Sequence, residues 1–193
     1  NVLVGDIDHE SVIMPTCISN YFITPASQSL AGALIEMINI PDREFKLRHL
    51  INELRHEYHY ILIDLPPSLN LLTINGLVAS DEVLIPVQCE YYSLEGLSQL
   101  IETIGVINNN LRTNIKILGA VLTMYNKREN LSRQVVKNVR RHFPYHVFDI
   151  EIPRSVALAE APSFSKPVFL YSPKSSGARA YLRLANEIIS REN

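Results

Sequence analysis

Only two cysteines occur in the 193 residues, Cys17 and Cys89, and they form no C-x-x-C pair. A disulfide scaffold is thereby excluded, and so is a structural zinc site, which needs more soft ligands. The six histidines show no paired metal spacing, and His56 and His59 beside Tyr58 and Tyr60 read as surface histidines at a helix end. None of the seven glycines falls in a Gly-rich phosphate cradle, and no G-x-x-x-x-G-K-[ST] occurs. A G-x-S-x-G elbow and an H-E-x-x-H pair are also missing, and no Ser, His and Asp placement suggests a triad. No apolar run approaches the roughly 20 residues that span a bilayer, and nothing resembles a signal peptide. The expectation is a cytoplasmic protein with both thiols reduced. Charge of one sign is lacking too: 18 Lys+Arg stand against 20 Asp+Glu, net −2, which excludes a globally basic nucleic-acid binder but not a local basic patch.

What is present is an ordinary globular composition, 47% hydrophobic and 20% charged. A chain of this length suits one domain and buries about 70% of its unfolded surface without staples. There is no internal repeat and no Gly/Ser/Pro linker, so a single domain over 1–193 is expected. The spacing predicts helices over 28–38, 43–57, 70–80, 94–110, 130–143 and 176–191. Asp42 is the expected N-cap of the second, because its carboxylate can accept from open backbone N–H groups. Between helices lie continuous apolar runs at Tyr60-Ile61-Leu62-Ile63, Val83-Leu84-Ile85-Pro86-Val87 and Ile115 to Met124. Apolar runs without alternation are strands buried on both faces, as in parallel sheets. Strands alternating with helices predict an α/β fold with a mostly parallel sheet flanked by helices.

In such sheets chemistry gathers where the carboxyl ends of strands enter the following loops. Asp64, directly after Ile61-Leu62-Ile63, is the strongest single candidate. An anion at a buried strand's exit needs a cation, and Mg²⁺ beside nucleotide phosphates is a typical one. The alternative is an Asp that caps the next turn. Asn126, after Thr123-Met124-Tyr125, offers a donor and an acceptor suited to a purine edge, or it simply opens a turn. Lys127, Arg128, Arg133, Lys137, Arg140 and Arg141 fall within fifteen residues that hold one acid, Glu129. Arg133, Lys137, Arg140 and Arg141 share one helix face, a strip suited to phosphate-backbone contact or to solvent.

The run Tyr60-Ile61-Leu62-Ile63-Asp64-Leu65-Pro66-Pro67-Ser68-Leu69 resembles the Walker B region of the ParA/Soj partition ATPases. Val83-Leu84-Ile85-Pro86-Val87-Gln88-Cys89-Glu90-Tyr91-Tyr92 with Leu94-Glu95-Gly96-Leu97 follows the family nearly letter for letter. Leu122-Thr123-Met124, Ile152-Pro153-Arg154 and Leu158-Ala159-Glu160-Ala161-Pro162-Ser163 match in order, as do Thr24-Pro25-Ala26 and Leu30-Ala31-Gly32-Ala33 upstream. The resemblance runs from about Ser19 to the C-terminus. It implies a deviant Walker-type, P-loop NTPase-like fold and an ATPase that binds Mg-ATP. It further implies a homodimer that holds non-specific DNA at the nucleoid and is stimulated by a ParB-like centromere-binding protein, with no membrane contact. Asp64 would be the catalytic Walker B acid on the Mg²⁺ side. Asn126, Pro153 and Arg154 would border the adenine, and Arg128 would contact DNA.

The family's phosphate loop, K-G-G-x-G-K-T, and the Asp-rich segment after it are not in this sequence. Without their lysines and backbone N–H donors these residues alone should neither grip nor hydrolyse a triphosphate. Ser172-Pro173 replaces a common Asp-Pro, and Ala157 stands where many relatives carry a basic residue. The expectation is therefore the C-terminal portion of a longer polypeptide, its N-terminal strand absent, which self-associates or rearranges its sheet if it folds alone. Two further readings stay open. One is a catalytically inactive DNA- and partner-binding adaptor. The other is a MinD-like positioning ATPase, which would need an amphipathic membrane helix at its C-terminus.

Overall fold

The computed structural model describes residues 3, 9–27, 30–66, 68–90 and 93–192. Pro67, Tyr91 and Tyr92 of the motifs above lie outside the described residues. The chain forms two compact units, Asn1–Asp81 with Ile107–Ile115, and Glu82–Val106 with Lys116–Asn193.

In the first unit a two-stranded antiparallel ribbon, β1 (Met14–Pro15) and β2 (Phe22–Ile23), precedes three helices. These are α1 (Leu30–Glu36), α2 (Lys46–Leu54) and α3 (Leu71–Ala79). Asp42 does not cap α2. Its backbone is left-handed (φ 53°), its side chain makes no capping bond, and a short 3-10 turn, Arg43–Phe45, intervenes. A tight reversal after Pro41 uses the left-handed conformation that Asp tolerates, and this displaces the helix start. Asn70 does cap α3, its Oδ1 accepting from the N–H groups of Leu72 and Thr73 at 3.0 and 3.1 Å. Asn75 then ties α3 to the start of α2. Its Oδ1 accepts from Leu47 N–H at 3.1 Å, and its Nδ2 donates to the carbonyls of Arg43 and Leu71 at 2.8 and 3.0 Å.

The run Tyr60–Ile63, expected as a strand, is assigned to none. Residues 60–66 are assigned to no helix or strand, and Leu62 is 87% exposed. Ile61, Ile63 and Leu65 are half-buried while Leu62 and Asp64 face outward, an alternation instead of burial on both faces. An apolar run becomes a strand only when a neighbour completes its ladder, and none of the described residues does so here.

The second unit holds a parallel sheet of β3 (Glu82–Gln88), β4 (Lys116–Tyr125) and β5 (Val147–Pro153), in that order. Helix α4 (Ser93–Leu111), most of which belongs to this unit, and α5 (Asn130–His142) follow β3 and β4. The short α6 (Val156–Glu160) and α7 (Val168–Tyr171) lead to α8 (Ser176–Glu192). Alternate residues of each strand face opposite sides. Ile85, Val87, Ala120 and Leu122 pack with Leu97 of α4 and with Val135 and Val139 of α5. Val121, Phe148 and Ile152 pack with Ala180 and Leu184 of α8 on the other face. The sheet is therefore apolar on both sides, as continuous runs require. β5 is irregular: the partner of Ala120 is Val147, yet that of Leu122 is Glu151. Gly119 makes the approach possible. Its φ is +153°, and a Cβ there would lie 2.8 Å from the His146 carbonyl.

Candidate functional site

The carboxyl ends of the three parallel strands are laced together. Cys89 N–H donates to the Thr123 carbonyl at 2.9 Å, and Arg154 N–H donates to the Tyr125 carbonyl at 3.1 Å. Ser132 Oγ, buried on α5, donates to the Cys89 carbonyl at 3.3 Å. Met124, a non-glycine residue at φ 53°, sits in the register break between Leu122 and Tyr125. Bulges of this kind bend a strand and redirect the residues that follow. Here they bring Tyr125 opposite Pro153, so Asn126, Pro153 and Arg154 share one edge of the sheet.

The polar groups at that edge have partners. Asn126 Nδ2 donates to Glu129 Oε1 at 2.7 Å, and its Oδ1 accepts from Arg128 N–H at 3.1 Å. Asn126 therefore opens a turn, one of its two expected roles, and its amide is engaged within that turn. The Arg154 guanidinium donates to Glu90 Oε1 at 2.9 Å, both side chains largely exposed. The pairings of Glu90 with Arg154 and of Glu129 with Asn126 were not expected from the sequence. Glu129 carried a signal, since it lies three residues after Asn126. Glu90 carried none, because its pairing depends on β3 and β5 both flanking β4.

Asp64 lies in the first unit, exposed, with no hydrogen bond or ion pair among the described residues. Among the described residues no three His, Cys, Asp or Glu side chains gather to hold a metal ion. That donor set does not suit an all-protein cation site. A Mg²⁺ ion held by Asp64 would need phosphate oxygens and water for its remaining positions. A triphosphate also needs a cradle of backbone N–H groups and lysines, and no G-x-x-x-x-G-K-[ST] segment supplies one.

The basic residues divide by helix geometry. On α5, Ser132, Val135 and Val139 are buried, while Arg133, Lys137 and Arg141 are exposed along the opposite side. With Lys127 and Arg128 at the turn before α5, they form a strip; Arg133 to Arg141 alone spans about 12 Å. Lys127, Lys137, Arg141 and the Arg128 guanidinium enter no ion pair among the described residues, and Arg133 reaches only Asn130 Oδ1 at 3.4 Å. Arg140 differs. One of its terminal nitrogens donates to the carbonyls of Phe148 and Asp149 at 3.2 and 3.0 Å and to Glu151 Oε1 at 2.8 Å. It turns toward β5 and fills the acceptors that the strand's irregular register leaves open.

No helix among the described residues is long and apolar enough to cross a membrane. The AAA_31 family, described as an AAA domain, matches residues 1–117. The chain is 46% identical over 190 residues to the chromosome partitioning protein ParA of Myxococcus xanthus, covering 98% of this chain and 67% of that protein. It is 48% identical over 188 residues to the sporulation initiation inhibitor protein Soj of Bacillus subtilis, covering 97% and 74%. Among solved structures it is similar to cobyrinic acid a,c-diamide synthase of Mycobacterium smegmatis with bound ADP and magnesium (TM-score 0.80, 31% identity, 96% of this chain and 68% of that one). It is also similar to the cell division ATPase MinD of Pyrococcus furiosus (TM-score 0.76, 25% identity, 98% and 73%). With an α/β fold, a parallel sheet and nearly half its residues identical to two such relatives, the chain belongs to the ParA/Soj family of chromosome-partitioning ATPases.

Proposed function

We propose that this chain acts in DNA partitioning by holding duplex DNA without sequence preference through Lys127, Arg128, Arg133, Lys137 and Arg141. The observation that carries the reading is the row Arg133, Lys137 and Arg141 on α5, which has no acidic partner among the described residues, in a chain whose net charge is −2. Free cations release counterions from DNA when they meet phosphates, whereas Arg140, already paired, has less to offer. In this reading the protein works as a homodimer at the nucleoid, with a ParB-like protein as its regulator.

Its cofactor would be Mg-ATP, whose hydrolysis supplies the free energy for cycling on and off DNA. Asp64 would orient a Mg²⁺-bound water, and the edge formed by Asn126, Pro153 and Arg154 would border the base. The triphosphate needs a phosphate loop in addition to these residues.

The test is fluorescence anisotropy of a labelled duplex of arbitrary sequence across a salt series. We expect binding that weakens steeply with salt. Arg128→Ala combined with Lys137→Ala should lower the slope of log K against log salt by about 2. Equal affinity and slope for the double variant, or no binding at low salt, would refute the assignment of this strip.

A further inference from the structure

Glu129 is the one acid between Lys127 and Arg141, a stretch with six cations, and among the described residues it forms no ion pair with any of them. It holds the N-cap position of α5, where Ser, Thr, Asp or Asn would accept from the helix's open N–H groups, yet its side chain makes no capping bond. The carboxylate turns back along the chain instead. Its Oε1 accepts from Asn126 Nδ2 at 2.7 Å.

That bond fixes a turn of four residues. The other end of the same amide, Asn126 Oδ1, accepts from the Arg128 N–H at 3.1 Å, and the Asn126 carbonyl accepts from the Glu129 N–H at 3.0 Å. An amide anchored at Nδ2 cannot rotate away from the Arg128 N–H without breaking its contact with Glu129. Arg128 therefore leaves the turn with its backbone ordered and its side chain exposed. A cation whose backbone is fixed before it meets a phosphate spends less conformational entropy on binding. The carboxylate also lies beside the phosphates that the strip would meet, where its charge alone opposes binding. Its geometry and its charge thus act with opposite sign on one contact.

We propose that Glu129, acting through Asn126, is a positioning residue that presents Arg128 to a DNA phosphate. That role rests on the reading of the basic strip as a DNA contact. Two substitutions separate the geometry from the charge. Glu129→Gln keeps an Oε1 that can accept from Asn126 Nδ2 and removes only the charge, whereas Glu129→Ala removes both. Glu129 is exposed, so neither change disturbs a core.

Fluorescence anisotropy of a labelled duplex of arbitrary sequence tests it, with Glu129→Gln and Glu129→Ala each made in the parent chain and in Arg128→Ala. Glu129→Gln should bind about twofold more tightly than the parent, the effect of one carboxylate about 10 Å from a phosphate in water. Glu129→Ala should bind about fivefold more weakly than Glu129→Gln, and its slope of log K against log salt should fall by up to about 1. In Arg128→Ala the two changes should have the same effect. Without DNA, hydrogen exchange at the Arg128 amide should quicken in Glu129→Ala and stay slow in Glu129→Gln. Equal binding by the two variants in the parent chain, a gap that persists in Arg128→Ala, or an Arg128 amide that exchanges alike in both would each overturn the proposal and leave the strip standing. A parent chain that ignores DNA at low salt, or that binds equally well as Arg128→Ala, would overturn the reading of the strip and this role with it.

Discussion

Arg140 and Arg141 are adjacent and identical in type, yet their replacement should have different consequences. The Arg140 side chain is only 32% exposed, and it fills two carbonyls of β5 while pairing with Glu151, itself 27% exposed. In Arg140→Met the aliphatic stem stays and the donors go. Phe148 is fully buried, so its carbonyl loses a partner that water cannot readily replace, at a cost of about 1–3 kcal/mol. The Glu151 contact adds less because it is partly screened, and the 3.8 Å approach to the 88% exposed Asp149 adds nothing measurable. The expected loss is about 2 kcal/mol. In urea, with a slope of about 2 kcal/mol per molar, the midpoint should fall by about 1 M. Circular dichroism of the unfolding transition measures it, with Arg141→Ala as a comparison expected to stay within about 0.5 kcal/mol of the parent. If Arg140→Met is as stable as Arg141→Ala, the clamp on β5 contributes nothing, and Arg140 rejoins the strip as a free cation.

Asn75→Ala should destabilise the first unit by about 2 kcal/mol, since the amide is 1% exposed and its loss strands Leu47 N–H and the Arg43 carbonyl. Thermal unfolding reports it, and a shift inside experimental scatter would count against a structural role. The two thiols should react very differently. Cys17 is exposed, whereas burial, with the Glu151 carboxylate second, pushes the Cys89 thiol up to about 11. A thiol-specific chromogenic reagent at mild alkaline pH should therefore label one cysteine rapidly and the second only on unfolding. The raised value also fixes a sign. The folded state holds the Cys89 proton longer than the unfolded one, so this group's contribution is complete below the unfolded pKa and is lost as pH rises toward 11. Rapid labelling of both thiols in the folded chain, or stability that rises over that alkaline window, would contradict the burial.

Much of this protein was written locally. The helices expected over 70–80, 94–110, 130–143 and 176–191 appear as Leu71–Ala79, Ser93–Leu111, Asn130–His142 and Ser176–Glu192. A helix closes its hydrogen bonds within a few residues, so its period and ends are local properties. The runs at 83–87 and 115–124 became strands for a related reason, their apolarity demanding cover on two faces. β5 went unannounced, although Phe148, Ile150 and Ile152 alternate with acids along it.

Other features were decided only in three dimensions. Tyr60-Ile61-Leu62-Ile63 is as apolar as Val83 to Val87, but a strand's ladder belongs to a distant segment, and among the described residues this run is assigned to no strand. Asp64 could be singled out by its position after that run, while its exposure shows only in three dimensions. The fate of the cations likewise turned on angle and reach. One residue along α5 is a rotation of about 100°, enough to carry Arg140 onto the carbonyls of β5 and leave Arg141 in solvent. Glu90 and Arg154, 64 residues apart, meet because β3 and β5 end at the same edge of one sheet. Sequence sets the periods and the chemistry of each segment, and the ladders between segments decide which side chains find partners and which stay free to bind.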